Sequence, residues 1–151
     1  MFLQLMIDKL SGSSKHWLTV KSQRNEQEND MKNVYPDVDY GRDLTQHITP
    51  NFKYGEFVAS EKAMQYGIKN IPNEQEWQNI EFVAKTILQP LRDKLGIPLT
   101  VNSEFRNNEL NIKAGGSETS FHRLGCAVDV DTHKIPLVHV LEAAYELPGW
   151  S

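Results

Sequence analysis

The strongest constraint on the fold is a run of apolar residues at helical spacing in the middle of the chain. They recur every three or four positions over about five turns, and they are Trp77, Ile80, Ala84, Ile87, Leu88, Leu91 and Leu95. Asn73 and Glu76 stand three residues apart, which is the spacing of a capping box at a helix start. Pro90 interrupts the pattern, so we expect a kink between Thr86 and Pro90. The sequence therefore predicts one main core helix.

Two stretches after this helix alternate apolar and polar residues, as strands do. The first covers 97–106 and would carry Arg106 on its polar face. The second covers 124–131, where one side is apolar and the other holds carboxylates: Cys126, Val128 and Val130 against Ala127, Asp129 and Asp131. Cys126 is therefore expected in the core rather than at a metal.

Shorter helices are predicted before and after these elements. Residues 56–66 have an amphipathic pattern closed by Gly67, and residues 136–146 have apolar residues at helical spacing. Residues 1–45 are mostly polar and charged, without lasting apolar spacing. We expect them to form an irregular or partly disordered arm before a single domain covering 46–151.

Composition restricts the partners. A net charge of -4 gives no electrostatic attraction to nucleic acid, membranes or anionic wall polymers. The first seven residues lack the basic start and cleavage site of a signal peptide, and no apolar run is long enough to span a membrane. The single cysteine excludes an internal disulfide framework. We therefore expect synthesis in the cytoplasm and no membrane or nucleic-acid partner.

A candidate metal site lies just before and within the second strand. Gly125 allows a tight turn, so His122 can fold back toward Asp129. A catalytic zinc ion takes three protein ligands from histidine and carboxylate groups and keeps one position for water. Ser120 is a candidate hydrogen-bonding neighbour of His122, and the small Ala127 leaves room beside the carboxylate.

The pattern Ser120-x-His122-x-x-Gly125-x-Ala127-x-Asp129 resembles the signature of zinc D-Ala-D-Ala carboxypeptidases and phage L-alanyl-D-glutamate endolysins. The likeness extends upstream through Glu56-Phe57-x-x-Ser60, Asn70-x-Pro72, Leu88-x-Pro90-Leu91-Arg92, Ser103-x-Phe105-Arg106, Leu110-Asn111 and Gly115-Gly116-Ser117.

The resemblance implies a fold, a reaction and site residues. The fold would be a small α+β domain of the hedgehog and D-Ala-D-Ala-peptidase type, with an antiparallel sheet packed against helices. A monomer with one zinc ion would hydrolyse peptide bonds of peptidoglycan stems, acting at the cell wall after release in a phage or prophage context. His122 and Asp129 correspond to zinc ligands, and Arg106 to the arginine that holds the substrate or polarises its carbonyl. Alternatively, Arg106 pairs with Glu104 or Glu109 at the surface.

The resemblance also leaves a gap. Relatives have a third zinc ligand, a histidine, on a later strand, with an acidic general base a few residues earlier. No such pair occurs up to residue 151, so we expect the peptidase-like domain to be C-terminally incomplete, without its final strand, and to bind zinc weakly. His133 and His139 are substitute ligands, although a solvated or packed histidine is the simpler interpretation of each. The alternative functions are a noncatalytic peptidoglycan-binding or virion structural module, or a gene fragment without stable function.

Overall fold

The computed structural model describes residues 2–8, 15–21, 33–103, 105–132 and 135–148. These residues form six strands and five α-helices. In chain order they are β1 (Phe2–Asp8), β2 (Lys15–Lys21), β3 (His47–Thr49), β4 (Phe52–Lys53), α1 (Glu61–Tyr66), α2 (Glu74–Val83), α3 (Gln89–Leu95), β5 (Thr100–Ser103), α4 (Asn108–Lys113), β6 (Ala127–Asp131) and α5 (Leu137–Tyr145). They also form two 3-10 helices, Tyr54–Phe57 and Phe121–Leu124, and a π-helical segment, Ala84–Leu88.

The larger sheet has four antiparallel strands in the order β2-β1-β6-β5, and β3 pairs with β4 separately. Strand β6 therefore has a neighbour on each side. Asp129 lies opposite Gln4 of β1 and opposite Ser103 of β5. Together with the helices, this antiparallel sheet confirms the predicted small α+β fold.

Strands β1 and β2 lie within the segment for which the sequence predicts an irregular arm. Residues 2–8 and 15–21 are instead two paired antiparallel strands, so the backbone there is not irregular. Strand β1 also pairs with β6, which connects this strand pair to the rest of the sheet. Residues 33–45 contain turns and bends, with residue 33 in 3-10 conformation, but no α-helix or strand. The rest of the predicted arm, apart from these ranges, lies outside the described residues, and the domain boundary at residue 46 stays a prediction.

The main core helix is confirmed, but it is built from three consecutive segments. It starts at α2 with the predicted capping box, in which Asn73 Oδ1 accepts from the Glu76 N–H at 2.9 Å and Glu76 Oε2 accepts from the Asn73 N–H at 2.7 Å. The π-helical segment then leads directly into α3, where the Gln89 N–H donates to the Ala84 carbonyl. Since Pro90 has no N–H to donate, the change from α to π hydrogen bonding just before it fits the expected disturbance. The kink itself stays a prediction.

The core lies between this helix, the β5–β6 edge of the sheet and α5. Val128 and Val130 point into it from β6, as their alternation predicts, and Cys126 is also buried. The fully buried side chains with the largest volumes include Trp77, Phe52, Phe57, Ile80, Ile87, Leu88 and Leu91. Across the described residues, no helix has the length and apolar character needed to cross a membrane.

The two shorter helices differ in how well the sequence predicts them. The last one, α5, is confirmed within one residue of its predicted bounds. The predicted helix over 56–66 is instead a 3-10 helix followed by α1, because Ser60 adopts extended backbone and its hydroxyl caps α1 by accepting from the Ala63 N–H at 3.1 Å. Gly67 ends α1 in the left-handed conformation, with φ of 66°, as predicted.

Candidate functional site

His122 lies on the 3-10 helix Phe121–Leu124, directly before β6, and its side chain is 1% exposed. This helix ends at Gly125, which has φ of 66°. A Cβ on Gly125 would lie 2.8 Å from the Glu76 carbonyl oxygen of α2, so only glycine allows this close approach. Asn79 of α2 donates to the Leu124 carbonyl at 2.7 Å. The segment that carries His122 is thus held against α2.

The turn brings His122 to Asp129, as the sequence predicts. Nε2 of His122 and Oδ2 of Asp129 are 3.6 Å apart, and Asp129 is 9% exposed. This distance is longer than an ordinary N–H···O hydrogen bond of about 2.7–3.2 Å. It is close to the roughly 3.4 Å between two ligand atoms of a tetrahedral zinc ion whose bonds are about 2.1 Å long. The pair therefore fits two adjacent corners of a zinc site.

Arg106 does not lie on a strand, and that prediction is wrong. Strand β5 ends at Ser103, and its pairing with β6 shifts register between Val101 and Ser103. The chain then leaves the sheet, because the Phe105 N–H donates to the Phe57 carbonyl at 3.1 Å and the Arg106 N–H donates to the His122 carbonyl at 3.0 Å. Arg106 is nevertheless tied directly to the backbone of His122, so the expected neighbours do come together.

The loop before His122 is fixed by Asn111, the fourth residue of α4, which is 1% exposed. Its Nδ2 donates to the Ser117 carbonyl at 2.8 Å, and its backbone carbonyl accepts from the Gly116 N–H at 2.8 Å. A Cβ on Gly116 would lie 2.1 Å from Asn111 Oδ1. The loop can therefore close onto Asn111 only because residue 116 is glycine.

The substitution Gly116→Ala is expected to destabilise the fold by about 1–3 kcal/mol, because the added methyl must displace a buried side chain. Urea unfolding followed by circular dichroism measures this change. In an Asn111→Ala background the same substitution should cost clearly less, since the contact is gone. An equal cost in both backgrounds would refute the proposed steric coupling.

Among the described residues, the other candidate ligands and neighbours do not complete a three-ligand site. Within the described ranges, no group of three or more histidine, cysteine, aspartate or glutamate side chains could hold a metal ion. His133 lies outside these ranges, so its role stays a prediction. His139 is exposed on α5 and does not form such a group with His122 and Asp129. Ser120 takes the N-cap position of the His122 helix without a side-chain capping bond, and its role beside His122 stays a prediction.

Sequence reasoning missed the buried asparagines that hold this site. Asn70 contacts the backbone on both sides of Arg106, and Asn111 holds the loop that leads to His122. Both asparagines lie in short segments that carry the family resemblance, and this resemblance is the sequence signal that could have identified them. Their hydrogen-bond partners at positions 105 and 117 depend on the three-dimensional fold, so no local sequence pattern predicts them.

A family model described as Peptidase M15 matches residues 50–147, which is more than half of the chain. The matched range includes Arg106, His122 and Asp129, and it leaves out β1 and β2. No curated protein and no solved structure matches the chain.

Proposed function

Because the chain belongs to the peptidase M15 family, we propose that it is a zinc peptidase that hydrolyses peptide bonds in bacterial peptidoglycan stems. One observation carries the proposal: a buried histidine nitrogen and a buried carboxylate oxygen are 3.6 Å apart. A histidine and a carboxylate at this spacing suit two ligands of one zinc ion. Its place of action would be the cell wall, and its partner a stem peptide.

The residues have distinct roles in this proposal. His122 and Asp129 would hold the zinc ion, which, when bound, lowers the pKa of a water ligand toward ~7 and polarises a carbonyl. Arg106 would bind the substrate as a fixed cation, either at a carboxylate or at the carbonyl oxygen where negative charge develops. Its backbone bond to His122 supports this role, because it keeps the arginine beside the metal ligands.

The pair alone is expected to bind zinc weakly, since catalytic zinc sites use three protein ligands. Within the part of the chain that the structure describes, no group of three or more histidine, cysteine, aspartate or glutamate side chains could hold a metal ion.

The test compares His122→Ala with His139→Ala in the full chain. Calorimetric titration with zinc should give an affinity at least about tenfold lower for His122→Ala, because one of its two ligands is lost. His139→Ala should leave the affinity unchanged, since this histidine is exposed on α5. Release of stem fragments from purified peptidoglycan, followed by mass spectrometry, should depend on His122 in the same way. Undiminished cleavage by His122→Ala would exclude the proposed site.

A noncatalytic peptidoglycan-binding module is the second candidate. The observation that favours it is that, among the described residues, no group of three or more histidine, cysteine, aspartate or glutamate side chains could hold a metal ion. Such a module would bind purified cell walls after zinc has been removed with a chelator, and it would release no peptide. Binding that requires zinc, together with peptide release, would instead favour the peptidase.

A further inference from the structure

Asn70 is one of the most buried polar side chains of the described chain, at 2% exposure. It lies just before α2 in sequence and contacts residues more than thirty positions away. The two-stranded sheet, the 3-10 helix Tyr54–Phe57 and α1 come before it in the chain. A buried carboxamide is costly unless its donors and acceptor are satisfied, so its partners indicate its role.

The partners of Asn70 lie on both sides of Arg106. Its Nδ2 donates to the Phe105 carbonyl at 2.9 Å, and its Oδ1 accepts from the Asn107 N–H at 2.8 Å. A further bond from Nδ2 to the Val58 carbonyl, at 3.2 Å, anchors the carboxamide to the residue after the 3-10 helix. Asn70 thus makes three of the four hydrogen bonds that a carboxamide can form.

The backbone around Arg106 is held at three places: at its own N–H and at the residue on each side of it. The Arg106 N–H donates to the His122 carbonyl at 3.0 Å, while Asn70 holds Phe105 and Asn107. The direction of the Cα–Cβ bond of Arg106 follows from this backbone, because Cβ geometry is set by the main chain. Asn107 in turn caps α4 by accepting from the Leu110 N–H at 2.9 Å, so the segment is also fixed downstream.

We propose that Asn70 is a positioning residue for Arg106: it holds the backbone from which the guanidinium reaches the substrate beside His122, and it does not touch the substrate itself. This inference rests on the proposed function, in which Arg106 binds the stem peptide. A small error in the position of a substrate-binding group can reduce the rate by about 100-fold. The loss of Asn70 is therefore expected to act through Arg106.

The test is a double-mutant cycle of Asn70→Ala and Arg106→Ala, with binding of a synthetic stem peptide and peptide release as readouts. Asn70→Ala should weaken kcat/KM or peptide affinity by roughly 10- to 100-fold. In the Arg106→Ala background it should cause little further loss, because the group that it positions is gone. Zinc affinity should stay unchanged in Asn70→Ala. Asn70→Ser, which keeps one small hydroxyl, should give an intermediate loss and remains informative where the alanine variant folds poorly.

Gln89→Ala is the matched control. Gln89 is also a buried carboxamide, 9% exposed, and its Oε1 accepts from the backbone N–H of Asn51 at 3.1 Å. Its hydrogen-bond partners are Asn51 and Asp93, neither of which flanks Arg106 in the chain. This variant should lose stability while peptide affinity is unchanged. An equal loss of affinity in Gln89→Ala, or additive losses in the Asn70–Arg106 cycle, would overturn the positioning role.

A readout that needs no activity separates this inference from the proposed function. The NMR order parameter of the Arg106 Nε–H bond should fall in Asn70→Ala and stay constant in Gln89→Ala. If Arg106→Ala leaves peptide binding unchanged, the proposed function fails at Arg106. If Arg106→Ala weakens binding but Asn70→Ala changes neither binding nor the order parameter, only the positioning role fails.

Discussion

Replacing Gly125 with alanine is expected to destabilise the protein by about 3–5 kcal/mol. Two costs add. The residue has φ of 66°, a conformation that alanine adopts only with strain. The new Cβ would also lie 2.8 Å from the Glu76 carbonyl oxygen and 2.9 Å from Cγ1 of Ile80, so the 3-10 helix that carries His122 must move away from α2. Since this contact involves the backbone of α2, the strain cannot be relieved by turning one side chain.

Gly96→Ala isolates the steric part of this effect. Gly96 has φ of 68°, nearly the same as Gly125, but nothing lies within 4 Å of its added Cβ. It should therefore cost only the backbone strain of about 1–2 kcal/mol. Chemical unfolding of both variants measures the difference, and zinc titration of Gly125→Ala should show weaker binding because His122 is displaced. Equal losses of stability in the two variants would contradict the close approach of the His122 helix to α2.

Trp77→Ala is expected to reduce stability by about 3–5 kcal/mol, because it removes a large side chain that is 1% exposed in the core. The indole also joins separate parts of the chain. Its Nε1–H donates to the Tyr40 carbonyl at 2.8 Å, and its ring packs edge to face with Tyr54 at a centroid distance of 5.5 Å. The guanidinium of Arg42 lies 5.8 Å from the ring centroid.

Trp77→Phe separates packing from hydrogen bonding. It keeps an aromatic ring in the core but loses the bond to the Tyr40 carbonyl, so it should cost about 1–2 kcal/mol. Thermal or urea unfolding under identical conditions provides the comparison. A loss in Trp77→Phe as large as that in Trp77→Ala would mean that the hydrogen bond, and not the buried volume, dominates the contribution of this residue.

The parts of the fold that follow from local pattern could be predicted. The apolar spacing from Trp77 to Leu95 gave the core helix, and the pair Asn73 and Glu76 gave its start, because both signals act within a few turns of one helix. Alternation also assigned Val128 and Val130 of β6 to the core. The family resemblance carried by the His122 motif is confirmed by the match over residues 50–147.

The features that depend on distant partners could not be predicted. The hairpin of β1 and β2 takes its place from pairing with β6, and nothing in residues 2–21 alone specifies that partner. Arg106 was assigned to a strand because alternation continues past Ser103, whereas the backbone actually turns to hydrogen bond with Phe57 and His122. Asp129 is buried despite lying on the polar side of its strand: β6 is paired on both sides, and His122 lies 3.6 Å from the Asp129 carboxylate.

The pairing of β1 with β6 has a consequence for the order in which the molecule folds. It joins positions 2 and 131, so this part of the sheet has high contact order, whereas the β1–β2 hairpin and the core helix form from local contacts. Closing so long a loop costs conformational entropy before its contacts contribute. The strand that carries Asp129 should thus acquire its second neighbour late, and the pair of His122 and Asp129 should reach its final environment in one of the last steps of folding.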